Sequence, residues 1–440
     1  MKFYVHKLGC PKNDVDADYI YAKLISEGHQ PVNDPEKADS VIVNTCGFID
    51  SAKEQSIEEI LKLGQLKKKT GLKTLYATGC LSQRYGDELL SEIPELDGAF
   101  GLGALDSLAN AVSLSDKLKE VVRMEPRKLG YLNWKNRFIS DNFPYAYMKI
   151  SDGCNRNCSY CAIPSIRGKY RSRSIDSIIR ETQFLAENGK KEIILVSQEA
   201  TLYGCESGKT EDIIQLLEAF EEVDGIEWVR LMYLHPAKLS NELIEYLAVE
   251  NKTLNYYDLP LQHINNEILF AMNRQVTRDI IEKHIDNIRK ADSEAILRTT
   301  FIVGFPGETD KQFQELLDFI EKTEFDRLGV FTYSAEEGTV AEKMENQIPE
   351  DIKSDRMDQI MMLQQEIAFN KNNSLIGEQK EVIIDRLNED KNAVGRTKGD
   401  CPEIDQEVIL FDNDLKIGQI YQVEIIESQG YDLIGKIKRE

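Results

Sequence analysis

No stretch of this 440-residue chain is apolar for anything like the roughly 20 residues that a membrane-crossing helix needs. The opening M-K-F-Y-V-H-K-L-G-C also lacks a secretory apolar core, so its L-G-C does not read as a lipoprotein site. Together these absences lead us to expect a cytoplasmic protein with no membrane partner. Positive charge is short: 54 Lys and Arg stand against 76 Asp and Glu, a formal balance of −22. Such a surface repels a phosphate backbone and suits a basic partner, or simply keeps the chain soluble. Otherwise the composition is that of a globular protein long enough for two or three domains, each with its own core. In a reducing compartment its eight cysteines read as ligands or catalytic groups before disulfides.

Three of them stand within eight residues, Cys154-Asn155-Arg156-Asn157-Cys158-Ser159-Tyr160-Cys161, spaced C-x3-C-x2-C. The loop between them is too short to carry the thiols apart, so they converge on one metal centre. Zinc usually takes four ligands, often as two separate C-x2-C pairs, whereas three thiolates suit a four-iron cluster with one iron unligated. A structural zinc knuckle or a chance grouping is the alternative. An apolar run at 145–150 and a helix-like stretch after the triplet place it on a strand-to-helix loop. In this spacing and setting it resembles the radical S-adenosylmethionine (SAM) enzymes, in which such a triplet follows the first barrel strand.

Cys10, Cys46 and Cys80 are distant in sequence but alike in setting. The first hundred residues alternate strand-like segments (2–6, 40–45, 74–78) with helix-like ones (14–27, about 51–63, and after 82). This alternation predicts a parallel sheet wrapped by helices. Each cysteine falls just past a strand and beside a glycine: Gly9, Gly47 or Gly79. Sites in open parallel sheets form outside the carboxyl ends of the strands, so the three thiols are expected to meet at one edge. They read as a second cluster with an open iron, or as three inert buried cysteines.

A basic–aromatic connector over 114–143, containing R-M-E-P-R-K-L-G-Y-L-N-W-K-N-R, closes a domain spanning 1–142. Further strands are predicted at 145–150, 192–196, 228–233, 256–258, 296–303 and 328–331, separated by helices starting near 174, 212, 240, 278 and 309. Six strands are too few for a closed eight-stranded barrel, so an open, partial, TIM-like (β/α)6 barrel is expected over 143–373. A charged helix over 351–371 leads out of it. Short alternating segments from 374 to 440 predict a small antiparallel β-barrel. Residues 376–440 hold nine Lys and Arg against fifteen Asp and Glu, a balance of −6. That makes the barrel a poor candidate for RNA and a better one for a basic protein. The fold class is thus α/β with a small all-β unit at the end.

An amino-terminal three-cysteine domain, a radical SAM barrel and a small TRAM-like barrel together resemble the methylthiotransferases over nearly the whole chain. That resemblance implies two 4Fe-4S clusters, one on Cys10, Cys46 and Cys80 and one on Cys154, Cys158 and Cys161. It implies two uses of SAM: one methylates a sulfur held on the auxiliary cluster, the other yields a 5′-deoxyadenosyl radical that activates the substrate carbon. An external electron donor and a sulfur source are implied as well. L-R-T-T-F-I-V-G-F-P-G-E-T (297–309) resembles the strand that contacts the adenosyl part, with Arg298 on SAM; by itself it is a strand-to-helix turn with an exposed arginine. F-T-Y-S-A-E-E-G-T (331–339) resembles the last barrel strand, with Phe331 against adenine. Gln198 and Gln262 stand at strand ends within reach of SAM or substrate. His235 and His263, two of five histidines, read as structural residues or as proton relays.

Within the family, L-G-C-P-K-N, A-I-P-S-I-R-G-K-Y-R-S-R, D-L-P-L-Q-H and G-R-T-K-G-D-C-P-E-I-D resemble the branch that modifies a ribosomal protein. That branch adds a methylthio group to the β-carbon of an aspartate in protein twelve of the small subunit. The transfer-RNA branch typically shows G-C-Q-M-N, V-P-Y-T-R-G and L-P-V-Q-S instead. The expected partner is therefore a basic ribosomal protein, without direct nucleic-acid binding. A transfer-RNA adenosine methylthiotransferase, or a non-catalytic metal-stabilised scaffold for RNA or protein, are the alternatives. The basic run Arg167, Lys169, Arg171, Arg173 is expected to face the substrate aspartate or SAM. Cys401 stands where that branch usually has alanine and reads as a small apolar residue; Cys205 has no partner at ligand spacing. The terminal barrel is expected to serve the ribosomal partner and to be removable without stopping SAM cleavage.

Overall fold

A computed structural model describes all residues except 116–118, 124–136, 140, 206–211, 413 and 439–440. Most of the basic–aromatic connector expected at 114–143 lies outside the described residues. The amino-terminal part comprises β1 (Lys2–Lys7), α1 (Pro11–Ser26), β2 (Gln30–Pro31), β3 (Ser40–Thr45), α2 (Asp50–Gly64), α3 (Leu66–Lys69), β4 (Thr74–Gly79), α4 (Cys80–Glu92), β5 (Gly98–Phe100), α5 (Leu105–Leu114) and β6 (Val121–Val122). Its strands form one parallel sheet in the order β2-β1-β3-β4-β5-β6. Every residue of β3 and β4 is buried, the mark of parallel strands covered on both faces. The strands that precede the three distant cysteines, β1, β3 and β4, are direct neighbours.

The middle part runs β7 (Tyr145–Lys149), β8 (Ser151–Asp152), α6 (Ile163–Arg167), β9 (Arg171–Ser172), α7 (Ile175–Glu187), β10 (Glu192–Val196), α8 (Ile213–Glu221), β11 (Trp228–Leu231), α9 (Asn241–Leu247), β12 (Tyr256–Gln262), α10 (Asn266–Ala271), α11 (Arg278–Ala291), β13 (Ile296–Val303), α12 (Asp310–Thr323), β14 (Arg327–Thr332) and α13 (Glu350–Ser374). Its six main strands are parallel and form two half-sheets, β7-β10-β11 and β12-β13-β14, linked by a single bridge from Val229 to Thr253. Among the described residues β7 and β14 do not pair, so the barrel is open. Alternate strand residues pack outward under the helices, as Met148, Leu195, Leu231 and Leu297 do. The intervening residues face the lumen.

The carboxy-terminal strands β15 (Gln379–Leu387), β16 (Ala393–Thr397), β17 (Val408–Leu410), β18 (Ile420–Gln429) and β19 (Asp432–Ile437) close into a barrel in the order β15-β16-β17-β19-β18. It departs from an all-antiparallel barrel at one seam, where the β18–β19 hairpin lays β19 parallel to β17. A larger departure concerns separability. The loop between β16 and β17 enters the lumen of the middle barrel at the amino ends of its strands. There Cys401, 1% exposed, packs with Tyr145, Tyr147, Trp228 and Tyr256. Arg396 pairs with Glu192 at 2.8 Å and with Asp385 at 2.6 Å. Arg230 pairs with the same Glu192 at 2.8 Å and donates to Lys398 O at 3.0 Å. Arg327 pairs with Asp400. The terminal barrel is a stopper for the middle one, and the expectation of a removable appendage is corrected on that ground.

Candidate functional site

The site lies at the opposite, carboxyl ends of the strands. Cys10 is the N-cap of α1, Cys46 follows β3, and Cys80 opens α4. Glycines allow the close approach. Gly9 has φ +95°, and a Cβ there would sit 2.7 Å from Cys46 Cβ and 3.2 Å from its Sγ. A Cβ on Gly47 would lie 2.7 Å from the backbone N of Leu81, so this loop seats directly on the start of α4. Buried Asn13 ties two of the strand ends together, its Nδ2 donating to Leu8 O at 3.0 Å and Thr45 O at 2.9 Å. The three thiols lie within one another's electrostatic reach. Burial raises the Cys46 thiol and pushes Cys80 up to about 11, with Arg167 opposing the rise. Such thiols are protonated at neutral pH, so metal loading must release their protons.

The second triplet occupies the loop between β8 and α6. Cys154 N–H donates to Gly168 O at 3.1 Å, Cys161 N–H to Cys158 O at 3.1 Å, and Arg156 N–H to Cys154 Sγ at 3.4 Å. The loop is anchored outward by Arg156, which grips Glu199 through Nη2 at 2.7 Å and Nε at 2.9 Å. Arg274 Nη1 lies 3.6 Å from Cys158 Sγ. Burial pushes the Cys154 thiol up to about 11, with Glu199 and Cys158 adding to the rise, and Cys161 up to about 12, with Cys158 and Cys154 adding to it. Among the described residues no three His, Cys, Asp or Glu side chains are gathered closely enough to hold a single metal ion. Two soft-donor triplets without that tight convergence fit polynuclear iron–sulfur clusters better than a zinc knuckle.

Arg167, at the end of the helix that follows the second triplet, reaches the first. Its guanidinium lies 3.4 Å from Cys80 Sγ, 3.0 Å from Asn13 Oδ1 and 3.1 Å from Asp152 Oδ1. Cys80 also packs with Ala162 and Ile166 of the second loop and its helix. The basic run is therefore not one face turned to substrate or SAM: Arg173 is buried on Glu181 at 2.6 Å, and Arg171 donates to Lys169 O at 2.8 Å. Nothing in the sequence spacing marked Arg167 and Asn13 as partners, because they stand 154 positions apart.

The remaining expected residues divide. Among the described residues, both buried amide atoms of Gln198 have no partner, and Gln262, at φ +72°, has its Oε1 in the same condition. These orphaned groups at the ends of β10 and β12 are the kind that a polar ligand such as SAM would satisfy. Phe331 is 55% exposed near the end of β14. Arg298 is engaged within the protein, with Nη1 2.9 Å from Asp258 Oδ1 and Nε 3.5 Å from Asp405 Oδ1. His235 and His263 each accept a backbone N–H two residues on, from Ala237 at 3.1 Å and Asn265 at 3.0 Å. Burial, with Arg274 and Arg156 nearby, lowers His235 to about 2; burial, with Arg356, lowers His263 to about 3. Both are neutral turn-capping residues.

An open six-stranded α/β barrel with a C-x3-C-x2-C loop at its carboxyl face defines a radical SAM protein, and the Radical SAM superfamily matches residues 148–320. Solved structures share the fold. The radical S-adenosylmethionine methyltransferase TsrM from Kitasatospora setae aligns with TM-score 0.54 and 14% identity over 75% of this chain and 71% of that one. The cobalamin-dependent S-adenosylmethionine radical enzyme OxsB aligns with TM-score 0.51 and 12% identity over 78% and 54%. The flanking parts match the uncharacterized protein family UPF0004 at 2–101 and the TRAM domain at 376–437. Relatives are similar over the whole length. The ribosomal protein uS12 methylthiotransferase RimO of Clostridioides difficile is 42% identical over 100% of this chain and 99% of that one. The proteins of the same name from Syntrophomonas wolfei and Aquifex aeolicus are 43% and 42% identical over 98% and 99% of this chain, and 98% and 97% of theirs. The chain belongs to the RimO family of radical SAM methylthiotransferases. It is thus an enzyme that uses SAM and an iron–sulfur cluster. Among the described residues no helix is long and apolar enough to cross a membrane.

Proposed function

We propose that the chain adds a methylthio group to the β-carbon of an aspartate of ribosomal protein uS12, acting in the cytoplasm with an external electron donor and sulfur source. The observation that carries the reading is the pair of cysteine triplets at strand ends, with Cys80 of the first packed on Ala162, Ile166 and Arg167 of the loop and helix that follow the second. Cys10, Cys46 and Cys80 would hold one 4Fe-4S cluster, and Cys154, Cys158 and Cys161 the other. Bound clusters with SAM supply the methylated sulfur and the radical that opens the substrate C–H bond. The chain's own part is to position and to exclude water. Gln198 and Gln262 offer buried amides to SAM, and Phe331 offers a ring to its adenine. Arg298, held by Asp258 and Asp405, acts on SAM only along with that pair. Units 1–142, 143–373 and 374–440 divide the work as auxiliary-cluster domain, radical barrel and stopper. The acidic surface, with its balance of −22, suits a basic ribosomal protein and disfavours direct RNA contact.

Anaerobic reconstitution should load about eight irons per chain. Replacing either cysteine triplet by alanine should leave about four. Mass spectrometry of uS12 incubated with the reconstituted enzyme should show the methylthio-aspartate. Full iron content in the Cys10/Cys46/Cys80 variant would remove the second cluster. Methylthio-adenosine in transfer RNA, with the ribosomal aspartate untouched, would move the chain to the transfer-RNA branch.

A further inference from the structure

Among the described residues most buried cations around the two triplets are matched with carboxylates; Arg274, which rests on Cys158 Sγ, the Tyr160 hydroxyl and Pro260 O, is not, and Lys12 has no polar partner at all. Lys149 pairs with Asp16 at 2.8 Å and Asp152 at 3.2 Å, Arg167 with Asp152 at 3.1 Å, Arg298 with Asp258 at 2.9 Å, and Arg156 with Glu199 at 2.7 Å. Lys12, two residues past Cys10 in the first turn of α1, is only 8% exposed. Among the described residues no carboxylate, carboxamide or carbonyl lies within hydrogen-bonding distance of its Nζ. That ammonium instead sits 3.5 Å from the centroid of the Tyr233 ring. Tyr233 follows β11 with φ +64° and is pinned by donating its N–H to Asp258 Oδ2 at 2.9 Å. An aromatic face holds an ammonium in place without neutralising it. Asp258 faces the same space, but Arg298 and the Tyr233 N–H already occupy its two oxygens. An amino-domain cation is thus laid across the strand ends of the radical barrel, on the side where Arg167 reaches Cys80; the charges of Cys10 and Asp258 favour it, but neither group is hydrogen-bonded to it.

We infer that Lys12 is a substrate-binding residue whose ammonium takes the side-chain carboxylate of the aspartate to be modified. The inference rests on the aspartate reading given above. Its chemistry is direct. The β-carbon of aspartate is bonded to the carboxylate carbon, so a cation that fixes the carboxylate also fixes the carbon that must meet both triplets. An asparagine or a nucleobase presents no such charge, and placing either against Lys12 leaves a buried ammonium unpaired.

The test is the affinity of reconstituted enzyme, without turnover, for uS12 and for uS12 carrying asparagine at the modified position. The wild-type enzyme should prefer the aspartate form by about tenfold or more, the scale expected for a desolvated charge pair. Lys12→Met, similar in volume but neutral, should bind both forms alike, with iron content and SAM affinity unchanged. Lys12→Arg should keep part of the preference. A preference that survives Lys12→Met overturns the assignment alone. Loss of iron or of SAM affinity in Lys12→Met also overturns it, giving the ammonium to the cluster or to SAM. A wild-type enzyme that binds neither form of uS12 overturns the substrate reading, and this assignment with it.

Discussion

Asp14 is a carboxylate held in an unfavourable place. It stands in the first turn of α1, where the helix dipole favours a negative charge, yet the balance goes the other way. Burial raises it to about 6; Lys7 offsets part of the rise, and Glu403, Asp18 and Asp141 add to it. Because the folded value exceeds the unfolded one, the fold favours the protonated acid. Stability from this group is therefore present below about pH 4 and is lost as pH rises through about 6. Asp14→Asn should match the wild type at acid pH and be more stable at pH 7, by on the order of 1–2 kcal/mol once solvent at its partly exposed edge is allowed for. Thermal unfolding of both proteins across pH 4–8 measures this. A stability difference that does not grow with pH would show that Asp14 is not strained. The signs that mark such residues are invisible in a one-dimensional reading, since Glu403 is contributed from the far end of the chain.

At the scale of elements, what was legible depended on burial and length. The stretches at 40–45 and 192–196 match β3 and β10 end to end, because every residue in them is buried and the run is unbroken. β5, β6 and α10 were not anticipated: three, two and six residues carry too little periodicity to stand out. The cysteine triplets were legible because strand ends and spacing place them. Arg167 and Lys12 were not, since their roles arise only when α1 and α6 are packed on facing strand ends. The ribbon β8–β9 shows how narrow such placement is. Gly153 has φ +81°, and a Cβ there would collide with the Lys169 carbonyl oxygen across the ribbon. Gly153→Ala should displace Cys154 while leaving the amino-terminal sheet intact. Iron content should fall from about eight towards about four per chain, with the far-ultraviolet circular dichroism unchanged. A fully loaded variant would mean that the loop has room to adjust.

For the whole molecule, the decisive contact is the stopper. Glu192 stands between Arg230 and Arg396, and Arg327 rests on Asp400, all within the middle barrel's lumen. Separating the partners of a buried pair costs about 3–5 kcal/mol, against a total stability of about 5–15 kcal/mol for a typical domain. Deleting residues 376–440 breaks several such contacts at once. The truncated chain should be insoluble, or lack a cooperative thermal transition, rather than retain SAM cleavage. A soluble truncated protein with an intact transition would restore the barrel to the status of an appendage. None of this was readable from charge balance, because Glu192 and Arg396 are remote in sequence and each looks like a surface residue on its own.

The stopper also sets an order of events during synthesis. Residues 397–406 follow all six strands that they close, and domains generally begin to fold from the amino terminus. Until that loop is in place, Arg230, Arg298 and Arg327 lack Lys398 O, Asp405 and Asp400, the partners that the stopper brings to them. Closure of the middle barrel's amino end thus waits on a segment made after all of its strands, and a chain without residues 397–406 would leave those ions exposed.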